Sequence, residues 1–274
     1  VIELSAAEKG KISFSATFSR PERYNVRSEG DNLVVEGTLD SGFYDIEGMK
    51  YYGVMRIIPQ GGELTKNGSS LSVKGADRAT ILLSLKTDYD NCTEYKSLAN
   101  DLLARAGKKT FQTLKKTHAK AFSEKFDRVE LRLPKNANSS LPIDKRLIAF
   151  ATDRTDADLA ATYMQFGRYL LISSTREGSL PPNLQGLWAP QLDTPWNGDY
   201  HININLQMNL WPAEVGNLSE LHIPLAEYTA SLVEPGSKTA KVYYGTDGWV
   251  SHINCNIHGC KSPGFSPSWG DTNT

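Results

Sequence analysis

The chain has 274 residues, 39% hydrophobic and 22% charged, which is an ordinary globular composition with room for more than one domain. Thirty Lys and Arg offset 31 Asp and Glu for a net charge of −1, so the clustered basic footprint of a nucleic-acid binder is absent. No apolar run approaches the ~18 residues of a membrane span. The first ~90 residues read as β-structure. Lys11–Ser19 and Asn32–Leu39 alternate apolar and polar residues, and Tyr51–Ile58, Ser70–Val73 and Ala79–Leu85 are β-branched or aromatic. Turn signals separate them at Glu29-Gly-Asp-Asn32, Gly61-Gly62 and Asn67-Gly68. Short strands at this spacing predict a sandwich.

From Glu94 the period becomes helical. Leu98, Leu102, Leu103 and Ala106, then Phe111, Leu114, His118 and Phe122, predict two helices broken at Gly107. Val129–Leu133 returns to strand alternation before a Pro-flanked connection over Pro134–Pro142. Further helices are expected from Asp144, over Ala157–Leu171, and over Ile202–Trp211, Ser219–Val233 and Glu234–Tyr244. In the second of these, Leu159, Tyr163, Phe166, Tyr169 and Leu170 form one broad apolar face. His118 and His222 fall at helical positions as packing or surface residues.

A long loop, Ser173–His201, is rich in Pro, Gly, Asn and Trp. Between Ser179 and Glu214, Trp188, Trp196, Tyr200 and Trp211 accompany Asn183, Gln185, Asn197, Asn203, Asn205, Gln207 and Asn209. Aromatic faces suit the C–H surface of a pyranose, and side-chain amides offer both a donor and an acceptor to its hydroxyls. Any one of these Trp residues is more often core, and any one Asn more often a cap or turn residue. The combination points to a sugar site.

Cysteine is sparse. Cys92, Cys255 and Cys260 give an odd count, although Cys255 and Cys260 could pair. The segment His252-Ile-Asn-Cys255-Asn-Ile-His258-Gly-Cys260 lacks the paired knuckles of a structural zinc site and reads as loop or wall. No metal is assigned.

Three blocks carry a specific resemblance: Gly167-Arg-Tyr-Leu-Leu-Ile-Ser-Ser174, Leu180-Pro-Pro-Asn-Leu-Gln-Gly-Leu-Trp188 and Tyr200-His-Ile-Asn-Ile-Asn-Leu-Gln-Met-Asn-Leu-Trp-Pro-Ala-Glu214. They resemble glycoside hydrolase family 95, the inverting α-L-fucosidases. The resemblance implies a multidomain β-plus-α chain without a cofactor. Its parts are an N-terminal β-sandwich over residues 1–90 that lacks its opening strands, a helical linker over 91–141, and the first part of an (α/α)6 catalytic barrel over 142–274. It implies a glycan substrate and a water held by asparagine side chains, matched here by Asn203 and Asn205. His201, Gln185, Trp188, Trp249 and His252 match or neighbour the sugar-binding wall, with His201 facing the C5 substituent.

The general-acid glutamate and the polarising aspartate belong to later segments of the family pattern. The chain, which opens Val1-Ile2-Glu3-Leu4 without an initiator Met, is therefore expected to be part of something longer, with a site incomplete by itself. Export fits a glycan substrate, but no leader is visible. Cys255-Asn256 and His258 stand where relatives tend to have Thr-Asp and Trp, so a role for an aspartate in that loop does not carry over. Glu214 and Asp199 are the nearby carboxylates; a structural hydrogen bond is expected for Glu214, and support of the His201 loop for Asp199. The alternatives are an α-L-galactosidase of the same family and a non-catalytic sugar-binding fragment. A lyase or phosphorylase can share the same build, but Asn203-Ile-Asn205 disfavours that reading.

Overall fold

The structure is a computed structural model that describes residues 1–41, 47–257 and 261–262. It divides into two compact units, Val1–Ala119 and Lys120–Thr274.

The first unit is built on eight strands: β1 (Ile2–Ser5), β2 (Ile12–Ala16), β3 (Asn25–Glu29), β4 (Asn32–Thr38), β5 (Lys50–Gln60), β6 (Glu63–Asn67), β7 (Ser70–Ala76) and β8 (Arg78–Thr87). They form two antiparallel sheets, β1-β8-β5-β4-β3 and β2-β7-β6. All five strands expected within the first ~90 residues are present. The three that were not expected (β1, β3 and β6) are all edge strands, and edges tolerate polar sequence because only one side pairs.

In β5 the two-residue alternation explains an almost continuous buried run. Met55 and Ile57 join Leu33, Leu71, Val73, Ala76 and Ala79 between the sheets. Tyr52 and Val54 join Val34 and Leu82 on the opposite face, where Ala99 and Leu103 of helix α1 (Tyr95–Gly107) cover them. The five-stranded sheet is thus sandwiched between a second sheet and a helix.

Helix α2 (Phe111–Phe126) follows after the break at Gly107. The second unit continues with α3 (Ile143–Asp153), α4 (Ala157–Ser174), α5 (Asn205–Leu210), α6 (Pro212–Val215), α7 (Ile223–Ser231) and α8 (Val233–Thr239). A π-helical turn, Ala240–Tyr244, extends α8, and a two-residue antiparallel pair joins Asn254–Cys255 to Lys261–Ser262. No helix among the described residues is long and apolar enough to cross a membrane.

Two expectations are corrected. Val129–Leu133 is not a strand, because no strand among the described residues pairs with it. Instead the Val129 carbonyl accepts from Gln165 Nε2 and Arg168 Nη1. On α4 the buried side chains are Leu159, Ala161, Arg168, Leu171 and Ser174, whereas Tyr163, Phe166 and Tyr169 are 77%, 52% and 42% exposed. Helical spacing finds an aromatic stripe but does not say which side a buried arginine will claim. That stripe packs only in part, with Tyr169 5.8 Å from Phe166 and 6.0 Å from Phe122 between ring centres.

Candidate active site

The amide-rich stretch rests on a buried cluster made by Leu171, Tyr200, Ile202, Leu206, Leu210, Ala213, Leu218, Leu221, Tyr228, Leu232 and Cys255. Tyr200 and Ile202, two residues apart, are buried in that core, while His201 and Asn203 are half-buried, His201 in a left-handed backbone conformation and Asn203 in the turn that follows. Leu206 and Leu210, four apart, then bury the inner face of α5. The single helix expected over Ile202–Trp211 is instead a turn, then α5 and α6, with Pro212 opening α6.

The segment is stitched in place on both sides. Tyr200 N donates to Cys255 O at 2.9 Å and Ile202 N to Ile253 O at 3.1 Å, which sets the Trp249–Cys255 loop alongside His201. Asn209 Nδ2 donates to Asn183 O at 3.0 Å, tying α5 to the turn at Asn183–Gly186. In that turn Asn183 Oδ1 accepts from Gln185 N, and Gly186 adopts φ +68°. A Cβ at Gly186 would lie 2.8 Å from the Trp188 ring, so the close approach of Trp188 requires glycine. Gln185 Nε2 holds Pro195 O at 3.0 Å and Leu184 N holds Asp199 O at 3.2 Å, closing the long loop on itself.

Three side-chain oxygens of this stretch are buried without a hydrogen-bond partner: Asn203 Oδ1, Gln185 Oε1 and Gln207 Oε1. Buried acceptors are normally satisfied, and one left unpaired by the protein is a place where water or a hydroxyl can bind. Asn203 is held by its neighbour one turn on, since Gln207 Nε2 donates to Ile202 O at 2.6 Å. Asn205 is half-buried and is the first residue of α5.

His201 carries a positive φ of 43°, with Nδ1 bonded to Asp199 Oδ1 and its ring 5.6 Å from Trp196 in an edge-on contact. Burial pushes the Asp199 carboxyl above its ordinary range, against the opposing pull of His201. Trp188 and Trp196 are 48% and 62% exposed, available as flat surfaces. Trp249 packs against the buried cluster instead, and His252 is wholly buried with Nε2 2.8 Å from the Tyr244 hydroxyl. His258 and Cys260, and with them any Cys255–Cys260 pairing, lie outside the described residues.

Glu214 accepts from Ser219 Oγ and meets His222 Nδ1 at 2.6 Å, and these bonds hold its carboxyl below the usual range. That is the structural role expected of it. Gln207 and Asn209 were visible in the sequence as part of the amide cluster, but their clamping roles were not. Their spacing from Asn203 and Asn205, one helical turn, was the available signal.

A two-sheet sandwich, a run of helices and an amide-rich loop with exposed tryptophans define a β-plus-α chain with a polar, aromatic-lined candidate site. The chain belongs to glycosyl hydrolase family 95: residues 110–274 match the catalytic domain of that family. Residues 1–92 match the N-terminal domain described for glycosyl hydrolase family 65. The chain is 34% identical to Alpha-L-fucosidase 2 of Arabidopsis thaliana over 96% of its own length and 35% of that protein. It is 30% identical to Probable alpha-fucosidase A of Aspergillus oryzae, covering 96% of the chain and 40% of that protein. For Probable alpha-fucosidase A of Aspergillus niger the identity is 33%, covering 90% of the chain and 33% of that protein. The chain thus spans between a third and two-fifths of these curated relatives.

Proposed function

We propose that the chain is part of an exo-acting glycoside hydrolase that releases terminal α-linked L-fucose from glycans with inversion at the anomeric carbon. The helices from Ile143 onward are, on this reading, the opening of an (α/α)6 barrel. Asn203 and Asn205 hold the attacking water through their amide oxygens, while Gln185, His201 and Trp188 line the sugar, with Trp249 and His252 in the wall behind them. The observation that carries the reading is the buried, unpartnered Oδ1 of Asn203, in a turn clamped by Gln207.

An inverting glycosidase needs an acid at the leaving oxygen and a group that activates water on the opposite face of the ring. An amide oxygen is a weak base. It becomes a stronger acceptor when a carboxylate accepts from its NH2 group, a part that the family pattern assigns to a later aspartate. Neither nearby carboxylate replaces the acid. Glu214 is committed to Ser219 and His222 and is held ionised, and Asp199 is committed to His201.

The test is to follow an α-L-fucoside with the full-length protein by NMR. The β-anomer of L-fucose should appear first, and initial release of the α-anomer defeats the inverting mechanism. Residues 1–274 alone should show no appreciable turnover, since a positioned general acid is typically worth ~10²–10⁴ in rate. Robust hydrolysis by this piece would identify an acid among its own carboxylates.

A further inference from the structure

His201 is held more tightly than a ring that only fills space. Its backbone sits at φ +43°, a conformation that a non-glycine side chain adopts only when its surroundings enforce it. The ring meets Trp196 edge-on at 5.6 Å, and Nδ1 is bonded to a carboxylate two residues earlier. Both partners are largely shielded, with 14% of the His201 side chain and 13% of the Asp199 side chain exposed. Asp199 has a second tie, because its own carbonyl accepts from Leu184 N at 3.2 Å. The backbone of Asp199 is therefore anchored to the turn that carries Gln185 and Trp188.

With Asp199 ionised the carboxylate can only accept, so the proton in this contact sits on Nδ1, and an imidazole protonated at Nδ1 alone presents Nε2 as an acceptor. Nε2 has no hydrogen-bond partner among the described residues. We infer that Asp199 is a positioning residue that fixes the tautomer of His201 and thereby presents Nε2 as an acceptor to a hydroxyl of the bound sugar. The inference rests on the proposed function for the identity of that sugar. The shielding of both side chains favours the pairing, because a hydrogen bond is electrostatically stronger away from water. The ring flank fills the space beside the C5 methyl, and the ring nitrogen adds a directional contact that the methyl cannot supply.

The experiment uses the full-length protein with 15N-labelled histidine, His201→Gln serving to assign the signal, and L-fucose as the binding probe. Wild-type His201 should carry its proton on Nδ1. In Asp199→Asn, whose amide can donate as well as accept, that proton should redistribute toward Nε2. L-fucose affinity should fall roughly ten-fold, the scale of one directional hydrogen bond, and kcat/KM on an α-L-fucoside should fall through KM. Placed on a His201→Thr background, Asp199→Asn should have no further effect, because Asp199 acts through the ring.

A wild-type His201 protonated at Nε2 overturns the inference without any variant, so an unstable Asp199→Asn protein would not protect it. Equal loss of affinity on the His201→Thr background also overturns it, since a purely structural role for Asp199 would give that result. If the wild-type protein binds L-fucose through this coupling yet cleaves no α-L-fucoside, the proposed function falls and the inference stands.

Discussion

At the scale of single residues, the site is set by what its neighbours bury. Tyr200 and Ile202 are almost fully inaccessible, while His201 and Asn203 beside them are half-buried. If Asn203 and Asn205 hold the attacking water, their contribution belongs to the transition state. Asn203→Ala or Asn205→Ala in the full-length protein should then lower kcat by ~10² or more with a smaller change in KM. Asn→Asp at either position should fail to restore full activity, since a new anion would repel the polarising aspartate. Near-normal kcat in both alanine variants would remove the asparagine-held water. His201 supports a separate prediction about sugar choice. An imidazole beside C5 leaves little room for a hydroxymethyl group, so α-L-fucosides should be preferred over α-L-galactosides. His201→Thr should narrow or reverse that preference, on the ~10–200-fold scale of one such group in kcat/KM. An unchanged ratio in paired measurements would take His201 out of the specificity site and leave the galactosidase reading open. Asn203, Asn205 and His201 stand out in the sequence because they sit in one dense run of amides and aromatics. The Gln207 clamp and the burial of His252 do not, because both depend on partners that sequence spacing does not name: the Ile202 carbonyl and the Tyr244 hydroxyl.

At the scale of elements, α4 is organised around one charge. Arg168 is 1% exposed and donates to four backbone carbonyls, those of Lys125, Phe126, Val129 and Gly216, and to Gln165 Oε1. Two of these carbonyls close the last turn of α2, and a third ends the turn after α6. Burial lowers the pKa of this guanidinium, yet an arginine remains charged, so its hydrogen bonds must replace hydration. Arg168→Met would strand several buried acceptors and should cost roughly 3–5 kcal/mol by denaturant unfolding. Arg168→Lys should recover little of that, because three donors on a point charge do not reproduce a planar fork of five. A loss below about 1 kcal/mol would mean that water reaches those carbonyls. The same arginine explains why the expected aromatic face of α4 is largely exposed: periodicity counts Tyr163, Phe166 and Tyr169 as apolar and Arg168 as polar, and burial here runs the other way. The strand elements were more readable. β4, β5, β7 and β8 contribute residues to both core faces or to the intersheet face and show it in β-branched and aromatic runs. By contrast, β3 (Asn-Val-Arg-Ser-Glu) and β6 (Glu-Leu-Thr-Lys-Asn) have edge compositions that only their hairpin turns give away.

At the scale of the whole molecule, the first unit contains its own test of where a domain ends. The family match for the N-terminal domain stops at residue 92, after the last strand of the sheets, while the compact unit runs to Ala119. The difference is α1 and the start of α2. Ala99 and Leu103 are 0% and 2% exposed because they cover Val34, Tyr52, Val54 and Leu82, and Tyr95, Ala106 and Leu114 add to the same cluster. Ending the chain at residue 92 would uncover this face of the five-stranded sheet while leaving the intersheet face intact. Each large apolar side chain returned to water forfeits about 1.5–3 kcal/mol, and a small domain has only ~5–15 kcal/mol of stability in total. Residues 1–119 should therefore fold cooperatively, with a single sharp thermal transition and mixed β and helical circular dichroism. Residues 1–92 should bind a hydrophobic dye, lack a sharp transition and aggregate through the exposed sheet face. Leu103→Asp within 1–119 should reproduce most of that behaviour by placing a charge against Val54 and Leu82. A monomeric, cooperatively folding 1–92 piece would show that the intersheet core is sufficient and that α1 is an attachment rather than the third layer of the domain.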